Sequence, residues 1–181
     1  MIPNSDLFHK ALRLAAWAHH GQITKFGDPY ITHPTAAAYE VTAAVMAGES
    51  ADLNLAVVTA LLHDVVEKSD VTLKSIKKDF GKAVADGVSA MTKKSELPKE
   101  EQLRESLVRI LEQPKEIAMA KLADRISSML PPPADWDTTK IETITENAKM
   151  ILQMLGGASP YLAKRLEERI AWYEKALEKR I

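Results

Sequence analysis

Residues 53 to 67 read Leu-Asn-Leu-Ala-Val-Val-Thr-Ala-Leu-Leu-His-Asp-Val-Val-Glu. As a helix, this run is apolar around nearly its whole circumference, and a helix with no wet face has to be surrounded by other elements. It is therefore expected at the centre of the fold. The same fifteen residues contain its one anomaly, the pair His63-Asp64 set among leucines and valines.

The rest of the chain supplies the surrounding helices. Ala, Leu, Met, Lys and Glu dominate, and Val and Ile fall inside helix-period patterns instead of short alternating runs, so the fold class expected is all-α. With 181 residues, 46% of them apolar, there is material for one buried core and one domain spanning 1–181. A first helix is expected from Asn4 or Ser5 to about His19, with Phe8, Leu12, Ala15 and Ala16 facing inward. Gly21, Gly27 and Pro29 make residues 21–32 a structured loop. Pro34 suits the first turn of a second helix reaching about Ala47, and a third is expected to run unbroken from about Ala51 to Lys68. Thr72 caps a short helix ending near Phe80-Gly81, and another follows from Lys82 to about Thr92. Residues 93–99 are expected to be a mobile loop. Helices of about 100–112 and 115–129 are separated at Pro114, and the Pro131-Pro132-Pro133 run enforces a stop. A helix from Thr138 to Leu155 ends at Gly156-Gly157, and Pro160 opens the last one.

Charge and composition exclude several function classes. The 24 basic and 25 acidic residues leave no broad basic footprint for duplex nucleic acid, and at 6% aromatic residues a base-stacking platform for single strands is poorly supplied. No cysteine is present, which removes disulfides, thiolate metal sites and thiol nucleophiles, so any metal has to be held by His, Asp or Glu. The residues from Met1 to Asp6 lack the basic and then apolar pattern of an export signal, and no stretch approaches the roughly 18 apolar residues of a membrane span. A cytoplasmic location with no membrane partner is the expectation, and homo-oligomer formation is left open.

Three segments place polar side chains where the pattern calls for apolar ones. Burying a carboxylate costs several kcal/mol in order of magnitude unless it is paired or bound to a cation, so Asp64 needs a partner. At helical spacing His63 and Glu67 form one row, and Asp64 and Lys68 an adjacent row about 100° round. A core histidine beside an Asp64–Lys68 ion pair is the alternative to a metal. Asp124 interrupts the apolar stretch Ile117-Ala118-Met119-Ala120-Lys121-Leu122-Ala123 and could instead pair with Lys121 or Arg125 on an exposed helix face. His33 stands just before Pro34, fixed in place and free to point into a cleft.

Taken in order, His33, His63-Asp64 and Asp124 resemble the H…HD…D signature of the metal-dependent HD-domain phosphohydrolases. Their surroundings are more specific. Gly21-Gln22, Lys25, the run from Pro29 to Pro34, the run from Ala60 to Glu67, Phe80-Gly81, the run from Val88 to Lys93, and Lys121-Leu122-Ala123-Asp124-Arg125 are similar to the hydrolase domain of the Rel/Spo-type alarmone enzymes of the stringent response. The likeness covers about residues 8 to 175, as in the stand-alone small alarmone hydrolases.

That resemblance implies a single HD-domain helical bundle that removes the 3′-pyrophosphate from a purine alarmone nucleotide, ppGpp, pppGpp or the adenine analogue ppApp, with Mn²⁺. Carried over by motif, His33, His63, Asp64 and Asp124 are the implied metal ligands, a set that suits Mn²⁺ without excluding Zn²⁺ or Fe²⁺. Glu67 matches the first residue of the family's Glu-Asp pair and is the implied general base. Lys25, Lys121 and Arg125 match basic positions that could neutralise polyphosphate, and Lys140 adds a further phosphate contact.

The chain departs from the family around the substrate. Thr24 stands where an arginine that stacks on the purine is usual, Lys68 replaces the Asp of the Glu-Asp pair, and Ser128 stands where an Asn is found. Base preference and the effect of Lys68 on water activation are therefore open. A related nucleotide phosphatase of the 5′-nucleotidase or NADPH phosphatase type, and a non-catalytic nucleotide-binding module, are the alternatives carried forward.

Overall fold

The computed structural model describes residues 4–180; Met1 to Pro3, part of the segment read for an export signal, lie outside them. Helix α1 spans Ser5–Ala18, α2 Thr32–Met46, α3 Leu53–Leu62, α4 Val65–Lys68, α5 Leu73–Phe80, α6 Lys82–Met91, α7 Lys99–Leu111, α8 Lys115–Ser128, α9 Thr138–Leu155 and α10 Pro160–Glu178, with a 3₁₀ turn at Gly156–Ala158. Among the described residues there is no strand, only an isolated bridge between Ile23 and Pro29. The all-α reading holds. No described helix is long and apolar enough to cross a membrane.

The apolar run becomes the expected centre. Leu53 and every residue from Ala56 to Leu62 are buried, with α1, α2, α6 and α8 packed around them. Helix α8 is nearly as enclosed, with every residue from Glu116 to Ala123 buried. Helix α2 lies against both and buries Ala37, Ala38 and Ala44, small side chains that let the backbones approach. Helices α2, α3 and α8 thus form the inner group, and α9 and α10 close over α8.

Polar residues fix how these helices start. Asn4 caps α1, accepting from the Asp6 and Leu7 amides at 3.1 Å, and its own amide donates to Asn54 Oδ1 at 2.7 Å, tying α1 to the start of α3. Asp52 caps α3, and its backbone N–H donates to the buried carboxylate of Glu116 on α8 at 2.8 Å. Glu49 accepts the Tyr161 amide at 2.7 Å, which anchors the first turn of α10 to the loop after α2.

Two expectations need correcting. Ala16 is exposed, and the inner face of α1 is instead Ala11, Ala15 and Ala18, with Phe8 and Leu12 half-buried. The helix expected from Ala51 to Lys68 breaks after Leu62, and α4 restarts at Val65. The Ala60 carbonyl, which the Asp64 amide would take in a continuous helix, accepts the Nδ1 hydrogen of His63 at 2.8 Å. His63 and Asp64 therefore sit on a turn, with their directions set by side-chain bonding.

Candidate metal centre and cleft

Each of the inner helices contributes to one point. His33 comes from the first turn of α2, His63 and Asp64 from the α3–α4 turn, and Asp124 from the last turns of α8. The two imidazole Nε2 atoms are 3.2 Å apart. Asp64 Oδ2 stands 3.3 Å from His63 Nε2 and 3.9 Å from His33 Nε2, while Asp124 Oδ1 stands 3.4 Å and 3.2 Å from the same atoms. His33, His63 and Asp64 each offer a donor atom with all mutual distances within 4.8 Å.

The hydrogen bonds on the far side of each ring set the tautomers. His63 Nδ1–H is used on the Ala60 carbonyl. Ser127 Oγ donates its own hydrogen to the Asp124 carbonyl at 3.0 Å, so toward His33 Nδ1, also at 3.0 Å, it is an acceptor. Both Nε2 atoms then present lone pairs to each other and to two carboxylates. Such a set of electron-pair donors is stable only around positive charge. Burial opposes charge on His63, but Asp64 and Asp124 outweigh it and hold the imidazole well above its ordinary value. Burial likewise favours neutral carboxyls, yet His63 holds Asp64 far down, and Lys121 and His63 do the same for Asp124. An ion held by these atoms requires both Nε2 atoms free of protons, so proton and divalent cation compete for the same positions. Two imidazole nitrogens and the Asp64 oxygen have the chemistry and spacing to share such an ion; Asp124, whose Oδ1 reaches both imidazoles, lies outside that group of three.

The centre forms the floor of a cavity of about 720 Å³ lined by Glu67, Lys68, Lys93, Lys25, Thr24, Arg125 and Ser128 among others. That volume is in the range of sites for small organic ligands. Glu67 Oε2 accepts the Lys93 amide at 3.3 Å, and Oε1 lies 3.7 Å from Lys68 Nζ. The Asp64–Lys68 ion pair, the alternative to a metal, is not among the ion pairs of the described residues; Lys68 lies against Glu67 and over the Tyr30 ring at 5.7 Å.

Of the other expected substrate contacts, Thr24, Lys25, Lys121 and Ser128 line the cavity and Lys140 does not. Lys121 is buried, and its Nζ donates to Asp124 Oδ2 at 2.8 Å, so this is a buried pair and not an exposed one. Thr24 Oγ1 accepts the Phe26 and Asp28 amides at 3.2 and 3.3 Å, shaping a tight turn completed by Gly27 at φ +91°. Lys25 lies on the cavity wall with its Nζ 5.0 Å from the Trp136 ring centre, and desolvation followed by Arg125 and Lys140 lowers its pKa to about 8. Lys140 approaches the same ring at 4.0 Å but does not line the cavity. Ser128 Oγ turns back to the Arg125 carbonyl at 3.0 Å while lining the cavity.

Sequence reasoning passed over Ser127 and gave no role to Tyr30, whose hydroxyl donates to Asp64 Oδ2. No local signal marks either one, because Ser127 meets His33 and Tyr30 meets Asp64 only across the fold.

A family model described as an HD domain matches residues 11–155. The chain is 38% identical over 122 residues to a guanosine-3′,5′-bis(diphosphate) 3′-pyrophosphohydrolase of Haemophilus influenzae, a match covering 64% of this chain and 17% of that one. It is 28% identical over 165 residues to the guanosine-3′,5′-bis(diphosphate) 3′-pyrophosphohydrolase MESH1 of Danio rerio, covering 88% and 89%. A solved structure described as "A metazoan ortholog of SpoT hydrolyzes ppGpp and plays a role in starvation responses" superposes with a TM-score of 0.80 at 24% identity over 98% of this chain and 99% of that one.

Proposed function

The chain belongs to the HD-domain family, and on that premise we propose that it is a metal-dependent hydrolase removing the 3′-pyrophosphate from a purine alarmone nucleotide, the whole chain forming one hydrolase domain. The convergence of two imidazole nitrogens and two carboxylate oxygens beneath a nucleotide-sized cleft carries the proposal. The names of the Haemophilus influenzae and Danio rerio relatives support the choice of substrate.

His33, His63, Asp64 and Asp124 would hold the ion, Mn²⁺ by preference. When bound, a divalent cation supplies Lewis acidity toward a phosphate oxygen and lowers the pKa of water. Glu67, on the same cleft wall and fixed by the Lys93 amide, takes a proton from the attacking water. The water oxygen bonds to the phosphorus next to the ribose, the bond from phosphorus to the 3′-oxygen breaks, that oxygen regains a proton, and pyrophosphate leaves. Lys25 and Arg125 offset the remaining phosphate charge from the cleft wall, where a partly dehydrated setting strengthens each contact. No duplex nucleic acid or membrane takes part, and the reaction belongs in the cytoplasm.

Incubating Mn²⁺-loaded protein with ppGpp, pppGpp and ppApp, with pyrophosphate and orthophosphate detected separately, tests the reading. Pyrophosphate release supports it. Orthophosphate alone, from a 5′-nucleotide or NADPH, moves the assignment to another HD-domain phosphatase, and tight nucleotide binding without either product makes the protein a binding module.

A further inference from the structure

Asp64 is held from a second direction. Tyr30 ends the loop before α2, and its hydroxyl donates to the Asp64 oxygen that faces His63 Nε2 at 3.3 Å. The Tyr30 ring, half-buried on the cavity wall, is flanked on several sides: His19 lies against it with ring centres 4.7 Å apart, His33 meets it edge-on at 5.7 Å, and Lys68 Nζ stands over it at 5.7 Å. Buried His19 bonds through Nδ1 to Gln22 Oε1 at 2.9 Å, and the Gln22 side-chain amide donates to the Lys68 carbonyl at 2.8 Å. The Tyr30 backbone N–H donates to the Gln22 carbonyl at 2.9 Å. A closed chain of contacts therefore runs from Asp64 through Tyr30, His19 and Gln22 to the end of α4, the four-residue helix that carries Glu67.

We propose that Tyr30 is a positioning residue for the metal site, braced by His19 and Gln22, so that the loop before α2 sets both the Asp64 carboxylate and the turn bearing Glu67. Asp64 stands on a break between helices, and its side-chain torsions are free unless something holds them. A phenol bonded to one named oxygen selects a single orientation and leaves that oxygen's other lone pair directed at the imidazoles. The phenol can do this only if its ring does not swing, and the His19 ring blocks that motion. His19 Nε2 is buried with no hydrogen-bond partner. An apolar side chain would pack there without that cost, so the Nδ1 bond to Gln22 is the feature that distinguishes histidine at this position.

The inference rests on the reading of Asp64 as a metal ligand, and the test separates the two. Mn²⁺ affinity is measured from the free-ion electron paramagnetic resonance signal for the wild type, Asp64→Ala, Tyr30→Phe and Gln22→Ala, with thermal unfolding in EDTA alongside. Tyr30→Phe is expected to weaken Mn²⁺ binding about 10- to 100-fold, and Gln22→Ala by a smaller factor, while unfolding in EDTA stays close to wild type. Loss of Mn²⁺ binding in Asp64→Ala with wild-type affinity in Tyr30→Phe overturns the positioning role and leaves the ligand reading standing. Wild-type affinity in Asp64→Ala overturns both. Should Tyr30→Phe fail to fold, wild-type Mn²⁺ affinity in Gln22→Ala overturns the proposal by itself.

Discussion

Replacing Lys121 by methionine keeps an unbranched apolar stem and removes the ammonium that Asp124 faces at 2.8 Å. Both side chains are nearly enclosed, 8% and 13% exposed, so water does little to screen what is left behind. Removing one member of a buried ion pair costs about 3–5 kcal/mol because the survivor is an uncompensated buried charge. Asp124 Oδ1 still has His33 and His63 nitrogens at 3.2 and 3.4 Å, which places the loss at the low end, about 3 kcal/mol. For a chain of this size each kcal/mol moves the midpoint by about 2–4 °C, giving a fall of about 6–12 °C in EDTA. Added Mn²⁺ brings two positive charges to the same carboxylates, so the gap to wild type should narrow. Thermal unfolding of both proteins in EDTA and in Mn²⁺ measures each quantity. A variant as stable as wild type in EDTA would show that the ammonium does not compensate Asp124. A gap unchanged by Mn²⁺ would show that Asp124 does not face the ion. If Lys121 acted mainly as a phosphate contact, KM would rise with no loss of stability in EDTA.

Three further outcomes are expected. In EDTA, His63 contributes stability that is full below pH 6.5, its ordinary value, and is lost as the pH rises through its raised pKa; Asp64 and Asp124 contribute stability present above pH 3.8 and lost as the pH falls toward their depressed values. Denaturation midpoints across pH in EDTA check both limbs, and because the His63 proton competes with the ion, Mn²⁺ affinity measured over the same range should increase with pH. Glu67→Gln should bind Mn²⁺ as wild type does and lose about 10²- to 10⁴-fold in kcat; equal loss of metal would place Glu67 among the ligands instead. Gly87→Ala should cost about 1–3 kcal/mol in denaturant unfolding, since its Cβ would overlap the terminal methyl of buried Ile117 and lie 3.3 Å from Thr59 Oγ1, where α6 crosses the core; a neutral result would mean that the Ile117 side chain can turn away.

The fold was legible because its signals are local. The Thr138–Leu155 helix has the expected bounds, Thr72 caps α5, and Pro160 opens α10, each a matter of residues within one turn of each other. The break between α3 and α4 was not legible, because periodicity sees only that His63 is polar. It cannot see that the imidazole takes the Ala60 carbonyl, the acceptor of the next helical amide. The candidate site divides along the same line. His63, Asp64 and Asp124 stood out as polar groups in apolar helices, where an unpartnered charge violates the surrounding pattern. Ser127, Tyr30 and Gln22 violate nothing, for a serine near a helix end and polar residues in a glycine-rich loop are ordinary there. Their roles exist only across the fold. Ser127 meets His33 over 94 positions of sequence, Tyr30 meets Asp64 over 34, and Gln22 meets the Lys68 carbonyl over 46. Single-residue chemistry therefore points to the groups that could hold an ion, whereas the groups that orient them emerge from how α2, the α3–α4 turn and α8 pack.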